Sequence, residues 1–149
     1  LWEKLISNIP DEKLLDNQAN ILCCACGHGT EADVLVRRML SLGIDSEDIK
    51  KRIFLLDKYK VFTNEALRKK YTQVIKADFL EWKTDMKFDV IVSNPPYLRG
   101  TWFKFLEKSL SLSPEYLIPS SVLEISCSRF TGYCCESEKC SWKYSYNQT

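Results

Sequence analysis

Leu1, Trp2, Leu5, Ile6 and Ile9 fall at helical spacing over residues 1–9, and Pro10 closes that segment. Asn20-Ile21-Leu22-Cys23-Cys24 is a short apolar run leading into a glycine-bearing loop, the pattern of a buried strand. Residues 30–42 return to helical spacing, with Ala32, Leu35, Val36, Met39 and Leu42 on one face. Thr30 is a candidate N-cap with Asp33 three residues on, close to a capping box, and Gly43 is a C-terminal stop. Arg52-Ile53-Phe54-Leu55-Leu56 reads as a second buried strand, ended by Asp57. A helix from Tyr59 to Lys70 follows, then a short strand, Gln73-Val74-Ile75, ended by Ala77-Asp78. Phe88-Asp89-Val90-Ile91-Val92 is a fourth strand running into Asn94-Pro95-Pro96-Tyr97. Residues 101–111 are helical in pattern, and Tyr116-Leu117-Ile118 is a fifth strand stopped by Pro119.

Strands alternating with helices predict an α/β fold, a parallel sheet with right-handed crossovers and flanking helices. Ligands bind such sheets at the carboxyl ends of the strands. Four of these strands end in a loop with a polar or glycine signature, so the signatures are expected on one side. Residues 126–149 break the pattern. They hold no Leu, Ile or Val but four Cys and five Ser, and read as an atypical tail after a domain spanning 1–125.

Composition narrows the class. With 45% apolar residues in 149, the chain can bury a core. A net charge of +1 excludes a strongly basic coat protein or a polyacidic tail, though not a local basic groove. No apolar run approaches the roughly 18 residues a bilayer span requires, and no leader pattern opens the chain. A cytoplasmic location without a membrane partner is expected. The first residue is Leu1 rather than Met, so a piece of a longer reading frame is a natural reading. Seven cysteines lie in two clusters, Cys23/Cys24/Cys26 and Cys127/Cys134/Cys135/Cys140. The odd count and adjacent pairs do not form a disulfide framework, and the spacing with a single His does not make a zinc site. Reduced thiols and no metal are expected.

The candidate chemistry sits at the strand ends. In Ala25-Cys26-Gly27-His28-Gly29-Thr30, two glycines between a strand and a helix let backbone approach a ligand and offer N–H groups at the helix start. Asp57 ends the second strand, where an acid can accept from ribose hydroxyls. Its distance from Gly29 exceeds the usual roughly 20 residues, and Asp45–Lys51 can absorb the excess as an extra turn. Asp78, before Phe79, is placed either to accept from an adenine amino group or to cap a helix. In Asn94-Pro95-Pro96-Tyr97 two prolines fix the backbone and remove two N–H donors, leaving carbonyls and the Asn amide as acceptors at a rigid place.

Phe88–Tyr97 (FDVIVSNPPY) resembles the catalytic motif of S-adenosylmethionine-dependent amino-methyltransferases, above all the DNA adenine-N6 methyltransferases. Ile21–Thr30 (ILCCACGHGT) resembles their cofactor loop, in a form common among restriction-modification enzymes. The resemblance covers roughly residues 1–124 and implies a class I methyltransferase, Rossmann-like sheet. It implies Asn94, Pro95, Pro96 and Tyr97 as catalytic. It implies Cys23, Ala25, Cys26, Gly27, Gly29, Asp57, Asp78, Phe79 and Asn94 as the S-adenosylmethionine site. The Asn94 oxygen and the Pro95 carbonyl would take the two hydrogens of the target amine, without a metal. Tyr97 would stack on an adenine flipped from the duplex, and Arg99, Lys104 and Lys108 would meet phosphates. Departures from the family are specific. Cys23 stands where the family usually has an acid that meets the cofactor's amino-acid end. His28 replaces a small residue and is expected in solvent. The last two strands and a target-recognition module are missing or replaced, so a further module or subunit is expected to hold the DNA. Transfer to a protein glutamine, transfer to RNA adenine, and a catalytically inactive cofactor-binding fragment are the competing readings.

Overall fold

The computed structural model describes residues 1–96 and 100–120. Tyr97, Arg99 and the 126–149 segment, with the domain boundary before it, lie outside the described residues.

Among the described residues eleven elements follow in order: α1 Trp2–Ile6, α2 Asp11–Leu15, β1 Ile21–Cys24, α3 Thr30–Ser41, α4 Ser46–Arg52, β2 Ile53–Asp57, α5 Lys60–Arg68, β3 Gln73–Lys76, β4 Val90–Ser93, α6 Thr101–Ser111 and β5 Tyr116–Pro119. The five strands form one parallel sheet in the order β3-β2-β1-β4-β5. β1 is central and buried along its whole length, which is why its four residues carry no polar alternation.

Alternate residues of each strand feed two cores. Ile21, Cys23, Ile53, Leu55, Val90 and Val92 pack with Leu35 and Met39 of α3, Ile49 of α4 and Leu5 and Ile6 of α1. Leu22, Cys24, Phe54, Leu56 and Ile91 pack on the other face with Phe79, Phe88 and Phe105. The molecule is thus three layers, helices on both faces of the sheet.

Several expectations shift. The helix over 1–9 ends at Ile6, because Ser7 Oγ and Asn8 Nδ2 donate to the Lys4 carbonyl at 2.8 and 3.3 Å and compete with the helical ladder. Ile9 is still fully buried, and α2 is a separate turn of helix. Thr30 is not the N-cap. Gly29 takes that place at φ 73°, and no side chain caps the helix. Asp33 instead accepts from Tyr71 Oη at 2.8 Å and pairs with Lys69 Nζ at 2.7 Å. The expected extra turn at Asp45–Lys51 is the whole helix α4, started by Asp45 Oδ1 accepting from the Glu47 N–H at 2.8 Å. Arg52 belongs to α4, not β2, and its guanidinium donates to the carbonyls of Ala19 and Leu14 at 3.0 and 2.8 Å. β4 starts at Val90; Asp89 before it accepts from the Asn20 N–H at 2.9 Å. No helix follows Asp78; residues 79–81 form a turn.

Candidate functional site

The strand register aligns the carboxyl ends. Cys24 lies beside Leu56 on one side and Ser93 on the other, Leu56 beside Ile75, and Ser93 beside Pro119. The glycine loop, Asp57, Asp78, Asn94 and Ser120 therefore leave the sheet along one edge. Backbone bonds stitch them together: Cys26 N–H to the Leu56 carbonyl at 3.3 Å, Asn94 N–H to the Cys24 carbonyl at 3.2 Å, and Ala77 N–H to the Asp57 carbonyl at 3.1 Å.

The loop after β1 is held in a conformation its neighbours impose. Ala25 has φ 53°, Gly27 φ 50° and Gly29 φ 73°. Positive φ at Ala25 stores strain of the kind found where a loop is shaped for binding. A Cβ at Gly27 would meet nothing within 4 Å, so its outer side is open, whereas one at Gly29 would lie 3.5 Å from Leu55. Asp57 is nearly buried, and its two oxygens accept from the Gly27 N–H at 3.0 Å and the Tyr59 N–H at 2.8 Å. It braces the loop, and each oxygen retains a second lone pair.

Asp78 is exposed, accepts from the Leu80 N–H at 3.1 Å and lies 3.9 Å from Lys58 Nζ. Phe79 is not brought to the surface beside it; the ring is buried against Phe105, centroids 5.3 Å apart. At the end of β4, Asn94 is half-buried, Pro95 buried and Pro96 exposed. The Asn94 Oδ1 accepts from Ser120 Oγ at 3.1 Å. His28 is exposed as expected, yet its Nδ1 lies 2.7 Å from Glu65 Oε2 and its ring meets Phe62 edge-on. Lys104 is exposed and Lys108 half-buried on α6.

Cys23, Cys24 and Cys26 are buried free thiols. Burial pushes Cys24 up to about 12 and holds Cys23 and Cys26 well above the ordinary thiol range. Among the described residues no cluster of His, Cys, Asp and Glu could hold a metal ion.

One residue escaped the sequence reading. Glu31, on the first turn of α3, has 0% of its surface exposed, and neither carboxylate oxygen has a hydrogen-bond partner among the described residues. Burial pushes its carboxyl up to about 8, assisted by the Asp33 and Asp57 carboxylates. Its own amide and the Lys69 ammonium offset part of that without bonding it. The signal was available, since Glu31, Leu35 and Met39 fall four residues apart on the stripe that meets the sheet.

A family model described as methyltransferase small domain matches residues 3–137. The chain belongs to that family. S-adenosylmethionine is the cofactor of this family member, and the residues present suit it: an open-sided glycine turn, a braced carboxylate at the end of β2, and a buried carboxylate without a partner among the described residues.

A curated relative is the tRNA1(Val) (adenine(37)-N6)-methyltransferase of Glaesserella parasuis, 31% identical over 93 residues, covering 62% of this chain and 37% of that protein. The fold matches a putative sarcosine dimethylglycine methyltransferase from Galdieria sulphuraria, with TM-score 0.53, 22% identity, 74% of this chain and 42% of that one. It also matches a S-adenosylmethionine-bound amino pentose methyltransferase from Micromonospora echinaspora, with TM-score 0.50, 13% identity, 76% of this chain and 45% of that one. The chain spans less than half the length of each. No helix among its described residues is long and apolar enough to cross a membrane.

Proposed function

We propose that the chain carries the cofactor site and catalytic strand end of a DNA adenine-N6 methyltransferase. The observation that supports this best is Asn94, which leaves β4 next to the cofactor loop with its amide oxygen held by Ser120 and two prolines behind it. The lone pair of an adenine amino group is delocalised into the ring, so the amine is a weak nucleophile. The Asn94 Oδ1, through its second lone pair, and the Pro95 carbonyl accept its two hydrogens. That returns electron density to nitrogen and aims it, which is transition-state electrostatics combined with positioning. The bound cofactor supplies an electrophilic methyl group on a sulfonium. Methyl transfer would leave that sulfonium as a neutral thioether, and Asn94 and the Pro95 carbonyl would hold the amine while its surplus proton passes to solvent. Tyr97 stacks on the flipped base, Arg99, Lys104 and Lys108 face phosphates, and a further module or subunit reads the sequence.

RNA adenine is the second reading, favoured by the tRNA adenine-N6 methyltransferase relative. The loop form common among restriction-modification enzymes favours DNA. The test is methyl incorporation from labelled S-adenosylmethionine into unmethylated DNA, unmodified tRNA and a glutamine-containing protein, with the product nucleoside identified. N6-methyladenine in DNA is expected. Incorporation into tRNA alone selects the RNA reading, and incorporation into protein alone removes both.

A further inference from the structure

Position 23, on β1, holds a thiol where the family resemblance implies an acid that meets the cofactor's amino-acid end. The chain nevertheless places a carboxylate at that end of the sheet from another element. Glu31 lies on the first turn of α3, with its side chain fully buried and both oxygens unpartnered among the described residues. It is close enough to the thiols of Cys23, Cys24 and Cys26 to push all three further up. A fully buried carboxyl with no hydrogen-bond partner is costly even on the first turn of a helix, where the dipole favours negative charge. Such a group persists where something outside the chain satisfies it.

We infer that Glu31 is the residue that receives the α-ammonium of S-adenosylmethionine, in place of the acid absent at position 23. The proposal rests on the cofactor alone and is indifferent to which amine is methylated. Among the described residues the neighbouring carboxylates are oriented by other partners. Asp57 is committed to the Gly27 and Tyr59 amides, and Asp33 to Lys69 and Tyr71. Without cofactor, Glu31 faces the Asp33 and Asp57 carboxylates, the three β1-end thiols and the Tyr71 hydroxyl, with Lys69 the single cation acting on it among these groups. That surrounding keeps it protonated near neutrality. An arriving ammonium favours the carboxylate, so binding releases the proton from Glu31 to solvent.

The experiment is calorimetry on the full chain with two probes, S-adenosylhomocysteine and methylthioadenosine, the second lacking the amino-acid end. In wild type at pH 7, S-adenosylhomocysteine is expected to release close to one proton, read from the dependence of the heat on buffer ionisation enthalpy, and methylthioadenosine none. Glu31→Gln is expected to abolish the release and weaken S-adenosylhomocysteine roughly 10- to 100-fold, with methylthioadenosine unchanged. Cys23→Asp in the Glu31→Gln background is expected to restore affinity by returning an acid to β1. Equal release by both probes in wild type, or equal weakening of both by Glu31→Gln, overturns the assignment. The wild-type measurement needs no variant, so a Glu31→Gln chain that does not fold leaves the test intact. A failure to methylate DNA or RNA bears on the proposed acceptor and not on this result.

Discussion

Asn94 and Glu31 show how one residue's role follows from what its polar atoms can find. Among the described residues Asn94 Oδ1 accepts from one hydroxyl, that of Ser120, which orients the amide and leaves acceptor capacity for an incoming N–H. Asn94→Ala is expected to lower methyl transfer by about 10²–10³ with S-adenosylhomocysteine affinity nearly unchanged, since the amide acts on the target amine. Turnover and calorimetric affinity measured in parallel check this; near-normal turnover removes Asn94 from the catalytic role. Glu31 predicts a pH effect on the cofactor-free protein. Its carboxyl titrates at about 8 in the fold against an ordinary value of 4.5. Between those values the folded chain holds a proton that the unfolded chain has released. Stability due to this group therefore falls as pH rises through that window, by up to about 1.4 kcal/mol per unit. Urea midpoints between pH 5 and pH 8 should decline in wild type and flatten in Glu31→Gln; an unchanged slope in the variant assigns the decline elsewhere.

At the scale of elements, β1 and α4 carry the distinctive features. The three thiols at the end of β1 are buried and their protonated forms strongly favoured. Thiolate is the reactive species, so Cys23, Cys24 and Cys26 are expected to resist a maleimide at pH 7 in the native chain and to react once it is unfolded by urea. Mass mapping of labelled peptides decides it, and rapid native labelling at any of the three means the loop opens. The helix α4 positions Arg52 to tie the α2–β1 connection to the sheet through the Leu14 and Ala19 carbonyls. Arg52→Met leaves two carbonyls without their donor. It is expected to cost about 1–3 kcal/mol in urea unfolding, with no loss beyond that in cofactor affinity. A neutral outcome places the anchoring of α2 in its apolar contacts, such as Leu14.

For the whole molecule, function depends on topology. The chain moves outward from β1 through β2 to β3, then returns to the other side for β4 and β5. The loops after β1 and β4 thus part at the switch point where ligands bind in open α/β sheets. Both cores are filled from the described residues, whereas 126–149 offers no aliphatic side chain. Deleting 126–149 is accordingly expected to leave the thermal midpoint nearly unchanged; a large drop means its aromatic side chains pack on the domain.

While the part-buried edge strands β3 and β5 showed only two or three apolar residues each, the apolar runs alone were enough to locate β1, β2 and β4, because strands buried on both faces read as continuous hydrophobic stretches. The same holds for the strand-end signatures at Gly27, Asp57 and Asn94, which need particular residue types at particular places. The parallel class followed from the alternation of strands and helices. Caps and short helices were not legible. At Gly29 the backbone conformation displaced Thr30 as the cap, and Ser7 and Asn8 cut α1 short through bonds that depend on local geometry. Phe79, adjacent to a site residue in sequence, went to the core because the aromatic cluster around Phe105 and Phe88 buries more apolar surface there. Glu31 is the clearest division. Its identity is written in the chain, but that its carboxylate lacks a donor is a property of everything packed around it, which only the tertiary structure assembles.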